Sequence, residues 1–410
     1  MALIGTFVIY IIMACAVAGA IASIRNPESG LGKEFIEGIH AIGPIFIPVA
    51  GIMASIPYLS EFIRVAAGPL FALVGADPSI AATTVIAVDM GGYQLADALA
   101  GSRDAWIVAT VVGYMAGATI IFSIPVGLAM LAKADHKYMA LGIMSGILSV
   151  PVGVFVACAI IAFAGLEVRP DINTSGEATY QVALTLVEIL RNLLPLIVFC
   201  VAIALGLRFV PDAMIAGFLW FGRIMYAGIT LVLVFSIVEY FTGLFSNLFG
   251  GWGFDPIIAD EADQFRALEI AGYIGIMLAG AFPMVYLLTK YLERPMEAIG
   301  SRIGVSPEGA AGLLAASANI IAMYRLIGRM RPRDKVLAIA FAVCAAFTFG
   351  DHLAFAANFQ PTMILPLLIG KLTGGAAGFV LALWLSVPKA EELAARLDAG
   401  ETAVAAPVAA

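Results

Sequence analysis

Charge is what this sequence has least of. Charged residues are 12% of its 410 positions, about half the share with which a water-soluble domain covers its surface, so a single soluble domain of this length is excluded. Histidine is scarce too, at three, and the four cysteines, Cys15, Cys158, Cys200 and Cys344, lie inside apolar runs with no CxxC spacing and no histidine cluster nearby. A disulfide framework or a zinc site therefore has nothing to build from, and no metal or other cofactor is expected. HExxH and GxSxG are missing as well. No small-residue cleavage site follows the first apolar stretch, residues 2–24, which is expected to be a retained helix and not a signal peptide. The net charge of -7 sits largely in two short loops and the tail. It carries no argument for a nucleic-acid partner, and none is expected.

What is abundant is apolar surface, with 62% hydrophobic residues and a mean hydropathy of +1.00. Only a lipid bilayer suits that balance, so the chain reads as an all-α, multi-pass integral membrane protein. Runs long enough to cross a hydrocarbon core of roughly 30 Å cover residues 2–24, 39–62, 105–131, 139–166, 180–209, 213–249, 268–289, 336–357 and 362–386. Two further apolar segments, 65–102 and 293–328, are repeatedly broken by Gly, Pro and polar residues. The expectation is about 9–11 transmembrane helices, the broken segments being either re-entrant hairpins or paired short spans.

Loop charges orient the chain. Lys133 and Lys137 in one connection, and Arg329, Arg331, Arg333 and Lys335 in another, belong in the cytoplasm. Glu167, Asp171 and Glu177, and then Asp255, Asp260, Glu261 and Asp263, fall on the opposite, periplasmic side. The run Gly75-Ala76-Asp77-Pro78 returns as Gly304-Val305-Ser306-Pro307, with Pro48 answering Pro283, Pro69 answering Pro295, and Asp104 answering Asp334. The span after Asp104 ends at a basic loop while the span after Asp334 begins at one, so the two halves read as an inverted repeat. The expected divisions are a first helix with its cytoplasmic loop (1–34), repeat one (35–166) with broken segment 65–102, and two connecting helices with acidic loops (167–266). Repeat two (267–388) with broken segment 293–328 and a disordered, Ala-rich cytoplasmic tail (389–410) complete the chain.

The least lipid-like chemistry sits at equivalent places in the two halves. One holds Asp89-Met90-Gly91-Gly92-Tyr93, the other Ala318-Asn319, and later comes Thr348-Phe349-Gly350-Asp351-His352. A glycine pair lets a helix break and frees backbone groups for a solute. An aspartate inside the membrane needs a partner or a task. Plainer readings stand beside these: Asp351, with His352 next to it, as a cap at the periplasmic interface, and Asp89 as the N-cap of the half-helix through Leu95 and Leu99. Glu188 and Arg191, one turn apart, read as an internal ion pair, His40 and His136 as interfacial, and the GxxxG sets beginning at Gly113, Gly142 and Gly374 as packing seams. Glu239, beside Tyr240, has no local partner in sequence.

The run Ala87-Val88-Asp89-Met90-Gly91-Gly92-Tyr93, the run Ile121-Phe122-Ser123-Ile124-Pro125-Val126, and Phe349-Gly350-Asp351-His352-Leu353 with Ala356-Ala357-Asn358 resemble the ethanolamine permeases of the ethanolamine-utilisation system, the EutH type. The likeness extends over nearly the whole chain, through Ala316-Ser317-Ala318-Asn319 and Ile369-Gly370-Lys371-Leu372-Thr373-Gly374-Gly375. The Ala-rich end, 401–410, and a lower content of Lys and Met are departures. The resemblance implies a bacterial inner-membrane transporter, C-terminus in the cytoplasm, that admits ethanolamine. That solute is a small ammonium bearing a hydroxyl, so its site wants a carboxylate, amide or hydroxyl partners and an aromatic face. The expected substrate-binding set is Asp89, Gly91, Gly92, Tyr93, Thr119, Ser123, Asn319, Gly350, Asp351 and His352, with Asp89 or Asp351 neutralising the ammonium and Asn319 and a hydroxyl holding the alcohol. Facilitated diffusion by alternating access is the expected mode. The alternative is an ion-coupled transporter of another small amine or polar metabolite, with a proton on Asp351 or His352 or sodium at carbonyls freed by Gly91 and Gly350. An intramembrane aspartyl protease is a remote reading, since Thr348 stands where the GxGD motif has its first glycine. The oligomeric state, a homo-oligomer included, is left open.

Overall fold

Lipid offers no water to backbone N–H and C=O groups, so an apolar run must close its hydrogen bonds within a helix. The computed structural model describes residues 2–405, and among these the strands amount to one short antiparallel pair, Glu167–Val168 with Tyr180–Gln181. Also among the described residues, eight helices are long and apolar enough to cross a membrane: Leu3–Arg25, Gly30–Ala54, Arg103–Met130, Lys133–Phe163, Leu186–Phe209, Pro211–Thr242, Ala267–Arg302 and Pro361–Leu385. Outer spans turn Phe7, Tyr10, Val198, Trp220 and Phe241 outward, whereas Trp106, Tyr114 and Met115 of the span Arg103–Met130 are buried at the centre. A further passage, residues 332–359, is interrupted at its middle.

The two charged sets of loops gather at opposite ends of the bundle. At the acidic face Asp255 N donates to Ala54 O (2.9 Å), Ala183 N to the Asp104 carboxylate (3.1 Å) and Arg103 to Pro170 O (3.1 Å). At the basic face Lys335 Nζ meets Asp135 at 2.6 Å, in a buried pair that ties the start of Pro332–Ala345 to the start of Lys133–Phe163. The helix that begins at Arg103 thus starts beside the acidic loops and the one that begins at Pro332 beside the basic ones.

Both broken segments fold back on themselves. Ser79–Val85 and Gly92–Leu99 form a first hairpin whose feet are clasped by Asp77: one carboxylate oxygen accepts from Ser79 N (2.9 Å) and Ser79 Oγ (2.5 Å), the other from Gly101 N (2.9 Å). Asp77 N in turn donates to Asn192 (2.9 Å), which fixes the feet toward the acidic face. Pro307–Ala318 and Ile320–Ile327 form a second hairpin, N-capped by Ser306 and closed at its feet by Arg331, which donates to Gly304 O (2.9 Å) and pairs with Asp334 (2.7 Å). The matched motifs are the turns into these hairpins, and Gly75 and Gly304 both take the left-handed conformation there. Each broken segment therefore folds as a helical hairpin, one with its feet beside the acidic loops and the other with its feet beside the basic ones.

Several expected boundaries move. The span expected over 39–62 ends at Ala54, and Ile56–Ala66 with Gly68–Val74, bent by 52°, follows. Tyr58 lies tilted against Phe254 (ring centroids 4.7 Å) and Gly75 abuts Arg191, so both ends of this bent pair lie near the acidic loops. The run expected from 180 starts as helix only at Leu186, because Tyr180–Gln181 pairs as strand; the run expected to 249 ends at Thr242, where Gly243 turns left-handed. The helix from Ala267 continues through Pro283 and Pro295 to Arg302, so residues 293–302 are not part of the second broken segment. Helix Val387–Ala405 occupies most of the tail expected to be disordered, its Ala, Leu, Glu and Arg being strong helix formers; residues 406–410 lie outside those described.

Replacing Asp77 by Ala removes the acceptor for both hairpin feet. Hydrogen bonds to a charged group are worth about 1.5–3 kcal/mol each, so Asp77→Ala is expected to lower the thermal unfolding midpoint in detergent and to open residues 75–102 to protease.

Candidate functional site

The first hairpin turns at its tip within a single tight turn. Met90 N and Gly92 N both donate to Ala87 O, at 3.1 and 3.0 Å, which places Asp89 on the short 3-10 turn Val88–Met90. Gly91 has φ +92, and a β-carbon there would meet Ile52 at 2.8 Å; one on Gly92 would meet Ala87 O at 2.6 Å. Glycine is thus required twice, by conformation at the first position and by close backbone approach at the second.

The second hairpin breaks at Asn319, whose extended backbone ends one helix and whose Oδ1 caps the next by accepting from Ile321 N (2.8 Å). Beside it the chain unwinds over residues 346–350. Phe347, the one non-glycine residue with positive φ among those described (φ +62), donates its N–H to Ala316 O (3.2 Å), and Phe349 donates to Ser317 O (2.9 Å). The carbonyls released by the unwinding are met by hydroxyls: Thr119 Oγ1 donates to Val343 O (2.9 Å) and Thr348 Oγ1 to Ala345 O (2.6 Å).

Both tips and the unwound stretch border one cavity of about 420 Å³, walled by Asp89, Asn319, Asp351 and His352 together with aromatic Phe122, Phe282 and Phe347, and by Glu37 and His40 of the helix Gly30–His40. Behind His352 stands Lys371, 2% exposed, whose ammonium donates to Tyr114 O (2.6 Å) and to His352 Nδ1 (2.9 Å). An ammonium only donates, so Nδ1 accepts and the imidazole proton lies on Nε2. That Nε2 faces Asp89 Oδ1 across 3.7 Å, and neither atom has a hydrogen-bond partner. The gap suits a small polar group that accepts from the imidazole and donates to the carboxylate.

Of the ten residues expected to bind, the structure brings Asp89, Asn319, Asp351 and His352 to the cavity wall. Gly91, Gly92 and Gly350 shape the backbone around it, Gly350 packing on the Ala318 carbonyl with no room for a side chain. Tyr93, Thr119 and Ser123 are elsewhere. Tyr93 is fully buried among Trp106, Phe355 and Phe359, its hydroxyl accepting from Gln360 (2.8 Å). The Thr119 hydroxyl is spent on Val343, and Ser123 is buried with its carbonyl taken by the Tyr324 hydroxyl (2.8 Å). The Gly91 and Gly350 carbonyls, expected to be free for sodium, accept the helical amides of Leu95 and Ala354, at 3.0 Å each. Glu188 does not pair with Arg191; it closes a capping box with Thr185. Glu239 accepts from the amides of Phe245 and Ser246.

Sequence reading missed Glu37, His40, Phe282 and Lys371. Lys371 gave the signal that marked the aspartates, a charge in the middle of an apolar run, and His40 lines the cavity where an interfacial place was expected. Among the described residues no group of three or more His, Cys, Asp or Glu is placed to hold a metal ion.

Known proteins match nearly the whole length of the chain. A family model described as "Ethanolamine utilisation protein, EutH" matches residues 4–385. A protein of Escherichia coli (strain K12) named "Probable ethanolamine permease EutH" is 37% identical over 380 residues, 90% of this chain and 89% of its own length. Proteins of the same name from Listeria monocytogenes (35% over 384 residues, 93% and 94% of the two chains) and Salmonella typhimurium (37% over 380 residues, 90% and 89%) are similar to the same extent. All three are named as permeases and not as enzymes. No solved structure matches the chain.

A methyl group at Gly91 adds a left-handed penalty to a clash with Ile52. Such strained positions cost about 1–3 kcal/mol, so Gly91→Ala is expected to lower the unfolding midpoint clearly. Gly68→Ala, where a β-carbon meets nothing within 4 Å, is expected to leave the midpoint within error in the same assay.

Proposed function

Because this chain belongs to the EutH family of ethanolamine utilisation proteins, we propose that it carries ethanolamine across a bacterial inner membrane, as a transporter and not as an enzyme. The observation that carries this reading is the convergence of two opposed hairpin tips and an unwound passage on one cavity holding Asp89, Asp351 and Asn319. The solute's ammonium donates to a carboxylate, most directly to the unpartnered Asp89 Oδ1, while its hydroxyl accepts from His352 Nε2 or the Asn319 amide. The acidic face is outside and the basic face, with the C-terminus, inside. A cavity of 420 Å³ has room for roughly a dozen waters at about 30 Å³ each, so the solute is held there with part of its hydration. Facilitated diffusion by alternating access suffices, because an amine consumed after uptake keeps its own gradient downhill.

One observation favours a second reading, proton coupling: Asp89, His352 and Lys371 stand in line, and a proton passed between them changes the charge at the cavity wall. Labelled ethanolamine uptake by proteoliposomes, with and without pH or sodium gradients and with choline and serine as competitors, separates the two. Saturable uptake indifferent to both gradients is expected; accumulation driven by a pH gradient, and lost in His352→Gln, would favour coupling instead.

Removing a charge-assisted contact worth about 1.5–3 kcal/mol predicts at least a tenfold rise in KM for Asp89→Asn in folded protein. Unaltered affinity in both Asp89→Asn and Asp351→Asn would remove the aspartate assignment.

A further inference from the structure

A second, smaller cavity lies against the same hairpin, nearer the acidic face. It measures about 150 Å³, and its walls include Met53, Gln94 and Asp97 from the membrane side and Asp255, Asp263 and Arg266 from the second acidic loop. At about 30 Å³ per water it holds some five waters, or one solute of about four non-hydrogen atoms.

Its polar groups are unevenly satisfied. Asp97 is engaged by Arg103, and Arg266 reaches Asp260 (3.4 Å) and Asp263 (3.5 Å). Gln94 is 5% exposed, yet neither its Nε2 nor its Oε1 has a hydrogen-bond partner, and the Nε of Arg266 is likewise unpartnered. Asp255 is anchored through its backbone N–H to Ala54 O, and its carboxylate has no ion-pair partner among the described residues. Burial pushes the Asp255 carboxyl above its ordinary value, so the ionised form gains from any cation brought close. A buried primary amide with no partner at either end is costly, and here it faces the same enclosed space as an unpaired carboxylate and a spare guanidinium N–H.

We propose that this cavity is an outer subsite for a small primary ammonium alcohol, occupied on the way to the inner cavity. The inference rests on the ethanolamine reading for the identity of the solute, but its geometry is its own. The ammonium donates to the Asp255 carboxylate and to Gln94 Oε1, and the hydroxyl accepts from Gln94 Nε2 or Arg266 Nε. Gln94 lies five residues after Asp89, in the helix that leads away from the tip of the first hairpin, so the two cavities border one hairpin. An acidic vestibule of this kind also concentrates cations before they enter.

The test is equilibrium binding of labelled ethanolammonium to the purified full chain in detergent, paired with uptake by proteoliposomes. Two sites are expected in the wild type. Gln94→Leu and Asp255→Asn should each weaken one site about tenfold or more and raise the KM for uptake, while Asp89→Asn should weaken the other. Gln94→Glu, which keeps the shape and adds a carboxylate, should retain or tighten the outer site and guards against a misfolded Gln94→Leu. Unchanged stoichiometry and KM in Gln94→Leu, Gln94→Glu and Asp255→Asn would overturn the subsite and leave water as the occupant. A single wild-type site that disappears in Gln94→Leu but survives Asp89→Asn would support the subsite while sinking the inner-cavity assignment. Absence of ethanolamine uptake with Gln94-dependent binding intact would count against the transport reading alone; absence of any Gln94-dependent binding, of ethanolammonium or methylammonium, would overturn the subsite.

Discussion

A peptide group that leaves its helix inside a bilayer must be satisfied by another part of the protein, and the interior of this chain is organised by that requirement. The passage that unwinds over 346–350 gives up helical bonds, and the replacements come from three directions: the end of the second hairpin through Ala316 and Ser317, the local hydroxyl of Thr348, and the hydroxyl of Thr119 on the central span. That central span is itself widened into π turns over Gly113–Gly117 and Thr119–Ser123. Its Tyr114 and Ser123 carbonyls are met by Lys371 and by Tyr324 of the second hairpin. The burial of the span follows from this work, because the polar groups it exposes and completes have to be kept from lipid.

Charge follows the same economy. Where both partners sit on rigid helix ends, as with Lys335 and Asp135, the pair is closed and structural. Around the larger cavity the account is left open: the carboxylates of Asp89, Asp351 and Glu37 border it, and one ammonium, Lys371, stands behind His352. Buried carboxylates that outnumber their cations raise the energy of the empty site and lower that of a site holding a small cation. Carboxylates on both cavities fit the cationic occupant proposed for each, and the two linings have the span Gly30–Ala54 and the first hairpin in common.

Much of this was legible in the sequence, for reasons that can be stated residue by residue. Asp89 and Asp351 stood out because an acid in an apolar run has no explanation in lipid, and the feet of the hairpins stood out because Gly75-Ala76-Asp77-Pro78 and Gly304-Val305-Ser306-Pro307 encode the same turn. Lys371 carried an equally strong signal but sits among glycines whose spacing spoke first of packing. Thr119, Ser123 and Tyr93 stand away from the cavity wall, and residue type alone cannot say whether a hydroxyl serves a solute or a stranded carbonyl; the acceptor for Thr119 lies 224 residues away. The helix that runs through Pro283 and Pro295 was cut short because proline ends helices in water more readily than in a bundle whose neighbours complete the freed groups.

If the cavity opens by the proposed alternating access, the motion is constrained by where its walls are bonded. The second hairpin and the unwound passage are stitched together by Phe347 N to Ala316 O and Phe349 N to Ser317 O, so they form one body. The first hairpin is held to the opposite face at its feet by Asp77, and at its tip it rests on backbone contact, Gly117 against Ala87 at a spacing that leaves a β-carbon only 2.6 Å. Across the cavity these two bodies approach each other at Asp89 and His352, 3.7 Å apart with no hydrogen bond between them. That seam carries no hydrogen bond of its own, whereas farther along the Tyr93 hydroxyl accepts from Gln360 (2.8 Å). A solute that donates to Asp89 and accepts from His352 bonds both bodies at once, so it stabilises the arrangement in which the seam is closed, and a ligand shifts such an equilibrium only by its difference in affinity for the two states. On the proposed transport reading, the unpaired atoms at the cavity wall would be the means by which occupancy is converted into a change of shape.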